Sequence, residues 1–345
     1  MRFAIRTALL LATVTLASLA ACSSPGASTD EDDGSAATLE GLSEGDVEGA
    51  AARALASAER ARTDFEPGEG NADRGGDVAP SAATVTSDLR PLSLHEDLDR
   101  ALGAGVWAYA FRITRDGRTA TDLATQSTDR IMYAASVFKV VTGFTAFAHR
   151  AVADDTLTFM LRTSNNALAN FSMCKNGELL GGYRATCSSV AYATSAMKMG
   201  NAIQETTKWL REEQGVALSS SFSMKDGSGL LPQNRMTIDD VTSVLMAARR
   251  HDGYERFKNM LAQPGKASTL RARFAGLEGR VFAKTGTYPS TGKGTKTLAG
   301  FVELSGGRTM VFAVFGNGVG AVSPAMGRIE GAVKKAIRAA DENAR

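Results

Sequence analysis

Histidine is nearly missing from this chain: His95, His149 and His251 are the three it has. None sits in a G-x-S-x-G or H-E-x-x-H setting, so a Ser-His-Asp hydrolase and a zinc hydrolase both lack support. Cysteine is equally scarce, at three in 345 residues. An excess of one charge is lacking too. The formal net charge is +2, which argues against nucleic acid as a partner. The apolar run from Ala8 to Ala21 falls short of the ~20 residues that a membrane-spanning helix needs. No internal repeat is visible. The acidic run Asp30-Glu31-Asp32-Asp33 reads as part of a solvated tether, not as a metal site.

What is present begins with a processing signal. Arg2 and Arg6 give a positive start, and the apolar run ends in Leu19-Ala20-Ala21-Cys22. That is the shape of a bacterial lipoprotein cleavage box, with residues 1–21 as signal peptide and Cys22 as the lipidated first residue. The alternative is a plain secretory signal with a stray cysteine. Ser23 is not the aspartate that often retains such proteins in the inner membrane. The expected location is therefore the cell envelope, on the periplasmic face of the outer membrane if the host has two membranes. Secretion changes how Cys174 and Cys187 read. An oxidising compartment favours a bridge between them, and two free buried thiols are the alternative. Such a loop is worth about 3 kcal/mol on the chain-entropy model.

Residues 22–90 are rich in Ala, Gly, Ser, Asp and Glu, and cannot bury enough apolar surface to offset their ordering entropy. Within them, Glu48 to Arg62 has the alanine content for a marginal helix. As a flexible tether the stretch spans roughly 40–50 Å. From about residue 91 to 345 the composition is globular. Helices are expected at Leu92–Leu102, Ser136–His149, Ser195–Gln214, Ile238–His251, Gly253–Leu261 and Pro324–Ala340, with two shorter pieces around Leu157–Arg162 and Ala167–Phe171. Strands are expected at Val106–Thr114, Arg118–Leu123, Val281–Thr287, Leu298–Leu304 and Thr309–Gly316. Strands at both ends with helices between them imply an α+β fold, an antiparallel sheet flanked by helices.

Three short strings carry the chemistry: Ser136-Val137-Phe138-Lys139, Ser164-Asn165-Asn166 and Lys284-Thr285-Gly286-Thr287. An S-x-x-K string alone arises by chance about once in a chain of this length. Together the three supply a nucleophile, an amine base, a second hydroxyl, an amide and a cation, a complete kit for acyl transfer through a serine ester. Ser136 and Lys139 are three apart, on one helical face, and apolar neighbours would lower the lysine pKa toward that of a working base. Taken singly, each string has a plain structural reading: an N-cap beside a surface lysine, a second N-cap, and a strand ending in a turn. Ser164 can relay a proton and Asn166 can hold a substrate amide. Lys284, Thr285 and Thr287 can hold a carboxylate, Gly286 allows close approach, and the N–H groups of Ser136 and Thr287 can form an oxyanion hole.

With S-x-x-K, S-x-N and K-T-G in that order, the chain resembles the serine penicillin-binding protein and β-lactamase superfamily. Lys225-Asp226-Gly227-Ser228-Gly229-Leu230, then Asn234-Arg235-Met236-Thr237, narrows the resemblance to class C low-molecular-mass penicillin-binding proteins, the D-alanyl-D-alanine carboxypeptidases and endopeptidases. Ser268–Phe274, the Arg280–Thr287 strand and Leu298-Ala299-Gly300-Phe301 fit the same order. The resemblance implies a β-lactamase/transpeptidase-like fold with a helical subdomain, and Ser136 as nucleophile, Lys139 as base, Ser164 as relay and Asn166 as substrate clamp. It implies Lys284, Thr285, Gly286 and Thr287 as the carboxylate and oxyanion site, peptidoglycan stem peptides as substrate, β-lactams as covalent inhibitors, and no metal or cofactor. Two features depart from the family. Ser136 and Ser164 are only 28 positions apart, where relatives commonly carry a large insertion, and the segment Tyr288–Thr297 is long and basic. That segment reads as a hairpin tip, with folding over the site or holding an acidic polymer as alternatives.

Two other functions compete. A fast β-lactamase needs a route for deacylating water, and neither a Glu-x-x-Leu-Asn segment nor a Tyr-x-Asn string is found. A non-catalytic peptidoglycan-binding lipoprotein is the second rival, and the intact catalytic positions argue against it.

Overall fold

Runs of aromatic and β-branched residues become strands because a sheet covered on both faces buries most side chains along its inner strands. The computed structural model describes residues 90–181, 196–288 and 294–343. In it β1 (Val106–Thr114), β2 (Thr121–Gln126), β3 (Val281–Tyr288), β4 (Thr295–Leu304) and β5 (Arg308–Asn317) form one sheet in the order β2-β1-β5-β4-β3. Each neighbouring pair is antiparallel. The signal peptide, Cys22, the tether up to residue 89, Cys187 and residues 289–293 lie outside the described residues.

Eight helices are described: α1 (Arg90–Leu102), α2 (Lys139–Ala148), α3 (Asp154–Thr163), α4 (Asn166–Leu180), α5 (Ala196–Glu212), α6 (Ile238–Arg250), α7 (Tyr254–Met260) and α8 (Val322–Glu342). Strand alternation sorts the core into two layers. Tyr109, Phe111, Phe312 and Val314 face α1 and α8. Ala108, Ala110, Val311, Ala313 and Phe315 face the opposite way, into a larger core with α2 and α6. Beyond α2 lie α3, α4 and α5, the helical subdomain. A capping box closes the start of α6: the Thr237 hydroxyl accepts from the Asp240 N–H while the Asp240 carboxylate accepts from the Thr237 N–H.

The fold matches the α+β expectation, with boundary shifts that have local causes. β2 starts at Thr121 and not Arg118, because the Asp116 carboxylate accepts from the N–H groups of Arg118 and Thr119 and holds them in a turn. The expected helix from Ser136 is a 3₁₀ turn over Ala135–Phe138 followed by α2. β4 begins three residues before Leu298, because Thr295, Lys296 and Thr297 each find a hydrogen-bond partner and sit buried in the strand. Part of the segment expected to be a hairpin tip is therefore sheet.

Candidate active site

The site is assembled where the 3₁₀ turn, the α3–α4 junction and the edge strand β3 meet. Lys139 is the first residue of α2 and has no exposure at all, walled by buried Val137, Phe138, Val140 and Val141. Its Nζ lies 2.7 Å from Ser136 Oγ, 2.7 Å from Asn166 Oδ1 and 2.9 Å from the Ser228 carbonyl oxygen. Burial disfavours the ammonium and lowers the Lys139 pKa from 10.5 to about 7, while the nearby Asp226 carboxylate pulls it upward. Near neutrality a large share of Lys139 is thus the free amine, in hydrogen-bond reach of a partly exposed serine hydroxyl.

The Ser164-Asn165-Asn166 string is a helix junction. Ser164 ends α3 in the left-handed region at φ 62°, Asn165 caps α4 by accepting from the Leu168 N–H at 2.9 Å, and Asn166 opens α4. The N-cap reading of this string is right for Asn165. The same junction turns Ser164 and Asn166 toward two different lysines. Lys284, fully buried on β3, donates to Ser164 Oγ at 2.8 Å and to the Thr285 carbonyl at 2.8 Å. Its pKa is pushed well below the usual lysine value, by burial first and then by the charges of Lys139 and Lys296.

Gly286 answers a packing demand. A Cβ there would lie 2.2 Å from Thr297 Oγ1, 2.7 Å from the Ala134 carbonyl oxygen and 3.2 Å from the Ser136 nitrogen. The strand therefore runs directly against the turn that carries Ser136. On the outer edge of β3, Ala283 exchanges both backbone hydrogen bonds with Ala262. Strand alternation then directs the N–H of Thr287 to that same edge.

Of the eight expected residues, Ser136, Lys139 and Asn166 are joined by hydrogen bonds, Ser164, Lys284 and Thr285 by others, and Gly286 packs against the Ser136 turn, while Thr287 follows on β3 and is bonded to Lys296. Cys174 is buried on α4 two turns beyond Asn166, and Cys22 and Cys187 lie outside the described residues. Sequence reasoning missed several participants. Asp226 is buried and accepts from the Ser228 and Leu231 N–H groups, 2.8 and 2.9 Å away, fixing the turn that aims the Ser228 carbonyl at Lys139. Asn234 supports that turn by accepting from the Lys225 N–H at 2.7 Å. Thr269 Oγ1 lies 2.9 Å from Thr285 Oγ1. The D-G-S-G-L…N-R-x-T string was visible, but its job was not.

Residues 149–337 match the family described as D-Ala-D-Ala carboxypeptidase 3 (S13). That is more than half of the chain. The chain belongs to this family. The match takes in the S-x-N, D-G-S-G-L and K-T-G strings and begins after S-x-x-K, so Ser136 and Lys139 join the site through the distances above. Among solved structures, the chain is similar to a class A β-lactamase from Bacteroides cellulosilyticus at 14% identity and a TM-score of 0.51, covering 74% of this chain and 100% of that one. This supports the β-lactamase-like fold. It is also similar to penicillin binding protein 4 from Haemophilus influenzae, complexed with a β-lactam, at 21% identity and a TM-score of 0.43. That alignment covers 52% of this chain and 40% of the Haemophilus protein, so the chain spans well under half of that relative. A third is penicillin-binding protein D2 from Listeria monocytogenes in its ampicillin-bound form, at 15% identity and a TM-score of 0.46, covering 67% and 96%. A search of curated proteins finds no match.

Proposed function

We propose that this chain is a serine D-alanyl-D-alanine carboxypeptidase/endopeptidase acting on peptidoglycan stem peptides, and that β-lactams acylate it. The observation that carries this reading is the 2.7 Å contact between Ser136 Oγ and a fully buried Lys139 whose pKa sits at about 7. The neutral amine of Lys139 takes the Ser136 proton as Oγ attacks the penultimate D-Ala carbonyl carbon. The N–H groups of Ser136 and Thr287 receive the oxyanion. Ser164, bound to Lys284, passes a proton to the departing nitrogen, the C–N bond breaks, and the terminal residue leaves as a free amine. Water then cleaves the Ser136 ester and returns the hydroxyl. With a β-lactam, the departing nitrogen stays tethered to the acyl group and the ester persists.

The proposal extends to placement: residues 1–21 as signal peptide, Cys22 as a lipid anchor to the periplasmic face of the envelope, and a bridge between Cys174 and Cys187. One experiment addresses these together. Cells expressing the full chain, Ser136→Ala or Cys22→Ala are fractionated and labelled with fluorescent penicillin. The expected result is a stable adduct in the membrane fraction, absent from Ser136→Ala and moved to the soluble fraction in Cys22→Ala, with no thiol open to alkylation before reduction. If the full chain holds sacculi but takes no label, it is a binding protein. Rapid turnover of nitrocefin without lasting label would make it a β-lactamase.

A further inference from the structure

The basic segment after K-T-G is not accounted for by acyl transfer alone. In the structure, Lys296 of β4 stands opposite Thr287 of β3, with Gly316 of β5 on its other side. The residue is only 8% exposed. Its Nζ lies 2.8 Å from Thr287 Oγ1. An ammonium has donors and no acceptor, so this bond occupies a lone pair of the Thr287 oxygen and leaves the hydroxyl proton to be given elsewhere. Thr287 is partly exposed near the end of the edge strand and follows Gly286, the residue that packs against the Ser136 turn. Its hydroxyl is thereby left as a donor for a further acceptor at the strand edge. The charge of Lys296 is also felt at Lys284, where it opposes the second ammonium. Two cations crowded in a buried setting are costly in the empty protein, and an anion placed beside them relieves that cost.

We propose that Lys296 is a positioning residue for the leaving-group end of the substrate, holding the Thr287 hydroxyl as a donor so that the site selects a free α-carboxylate over the corresponding neutral amide. This rests on the acyl-transfer reading above and sharpens it toward chain ends bearing a carboxylate. The contrasting role is mechanical: a strand lysine that ties β4 to β3 and supports the whole site equally.

The test compares an acyl-D-Ala-D-Ala peptide with its C-terminal amide, using the full chain, Lys296→Met and Lys296→Arg. Benzylpenicillin and its methyl ester are compared in parallel by acylation rate, which does not depend on peptide turnover. Loss of one charge-assisted contact predicts that Lys296→Met lowers kcat/KM for the free acid about tenfold, chiefly through KM, and the amide far less. Lys296→Arg should keep the acid within about threefold of wild type, because the charge and a donor remain. In a Thr287→Val background, Lys296→Met should cost little more, since the hydroxyl through which it acts is gone. Equal losses for acid and amide, and for penicillin and its ester, would overturn the proposal and leave Lys296 as a strand tie. No change in any of them would overturn it as well. A wild-type protein that neither releases D-alanine nor takes up penicillin would defeat the acyl-transfer reading and this inference together.

Discussion

In the proposed mechanism Lys139 acts as a base only as the amine, and burial is what supplies that form near neutrality. Removing the ammonium from water is the first cause of its lowered pKa, and the Asp226 carboxylate restrains the drop to about 7. The sign for activity follows. Below that pH the group carries a proton and cannot take another from Ser136, so acylation should fall about tenfold per unit as pH drops beneath about 7 and level off above it. Stopped-flow acylation by a chromogenic cephalosporin between pH 5 and 9 checks this, and a flat profile across the range would remove Lys139 from the role of base. Lys284 meets the opposite demand. Burial and two neighbouring lysines disfavour its ammonium in the empty site, and a bound carboxylate favours it, so substrate binding and proton uptake at Lys284 reinforce one another.

At the scale of the element, β3 does its work by closeness. Gly286→Ala puts a methyl 2.2 Å from Thr297 Oγ1 and 2.7 Å from the Ala134 carbonyl, and both belong to the hydrogen bond, 2.9 Å long, that ties β4 to the nucleophile's turn. Backbone cannot yield as a flexible side chain does, so the strand must move off the turn. The expected outcome is a fall in acylation of about a hundredfold with a stability loss of about 1–3 kcal/mol. Acylation kinetics beside urea unfolding separate the two. Wild-type acylation in a folded variant would show that β3 does not set the geometry. The same contacts mark what the sequence could and could not disclose. β1 and β5 were legible because largely apolar runs buried on both faces announce themselves, and β3 because it opens on Val281-Phe282-Ala283. The start of β4 was not, because Thr295, Lys296 and Thr297 are polar and their partners lie on other strands or, for Thr297, 163 positions away. The three candidate site strings were legible as residue types at characteristic spacing. The Ser228 carbonyl that completes the Lys139 cradle was not, since any residue supplies a carbonyl and only the fold aims it.

For the molecule as a whole, the sheet keeps two cores apart and places the chemistry against one of them. The layer under α2 and α6 contacts the nucleophile's turn through Val137 and Phe138. The layer under α1 and α8 holds Leu98, Phe312, Ile329 and Val333, and lies across the sheet from the face on which β3 and β4 meet that turn. Stability drawn from the second layer is therefore separable from the geometry of the first. Ile329 is fully buried on α8, where apolar residues recur at Ala325, Ile329, Ala332, Val333 and Ala336. Ile329→Ala removes most of a buried side chain, and helix and sheet collapse only partly onto the gap, so a loss of about 2–5 kcal/mol is expected. The folded fraction should acylate at the wild-type rate, because no atom of the Ser136–Lys139–Asn166 cradle touches the vacated space. Urea unfolding gives the first quantity, and penicillin titration of active sites gives the folded fraction against which the rate is normalised. A normalised acylation rate that fell along with the stability would mean that the sheet transmits strain from one layer to the other, and that the far core tunes the position of β3 against the nucleophile.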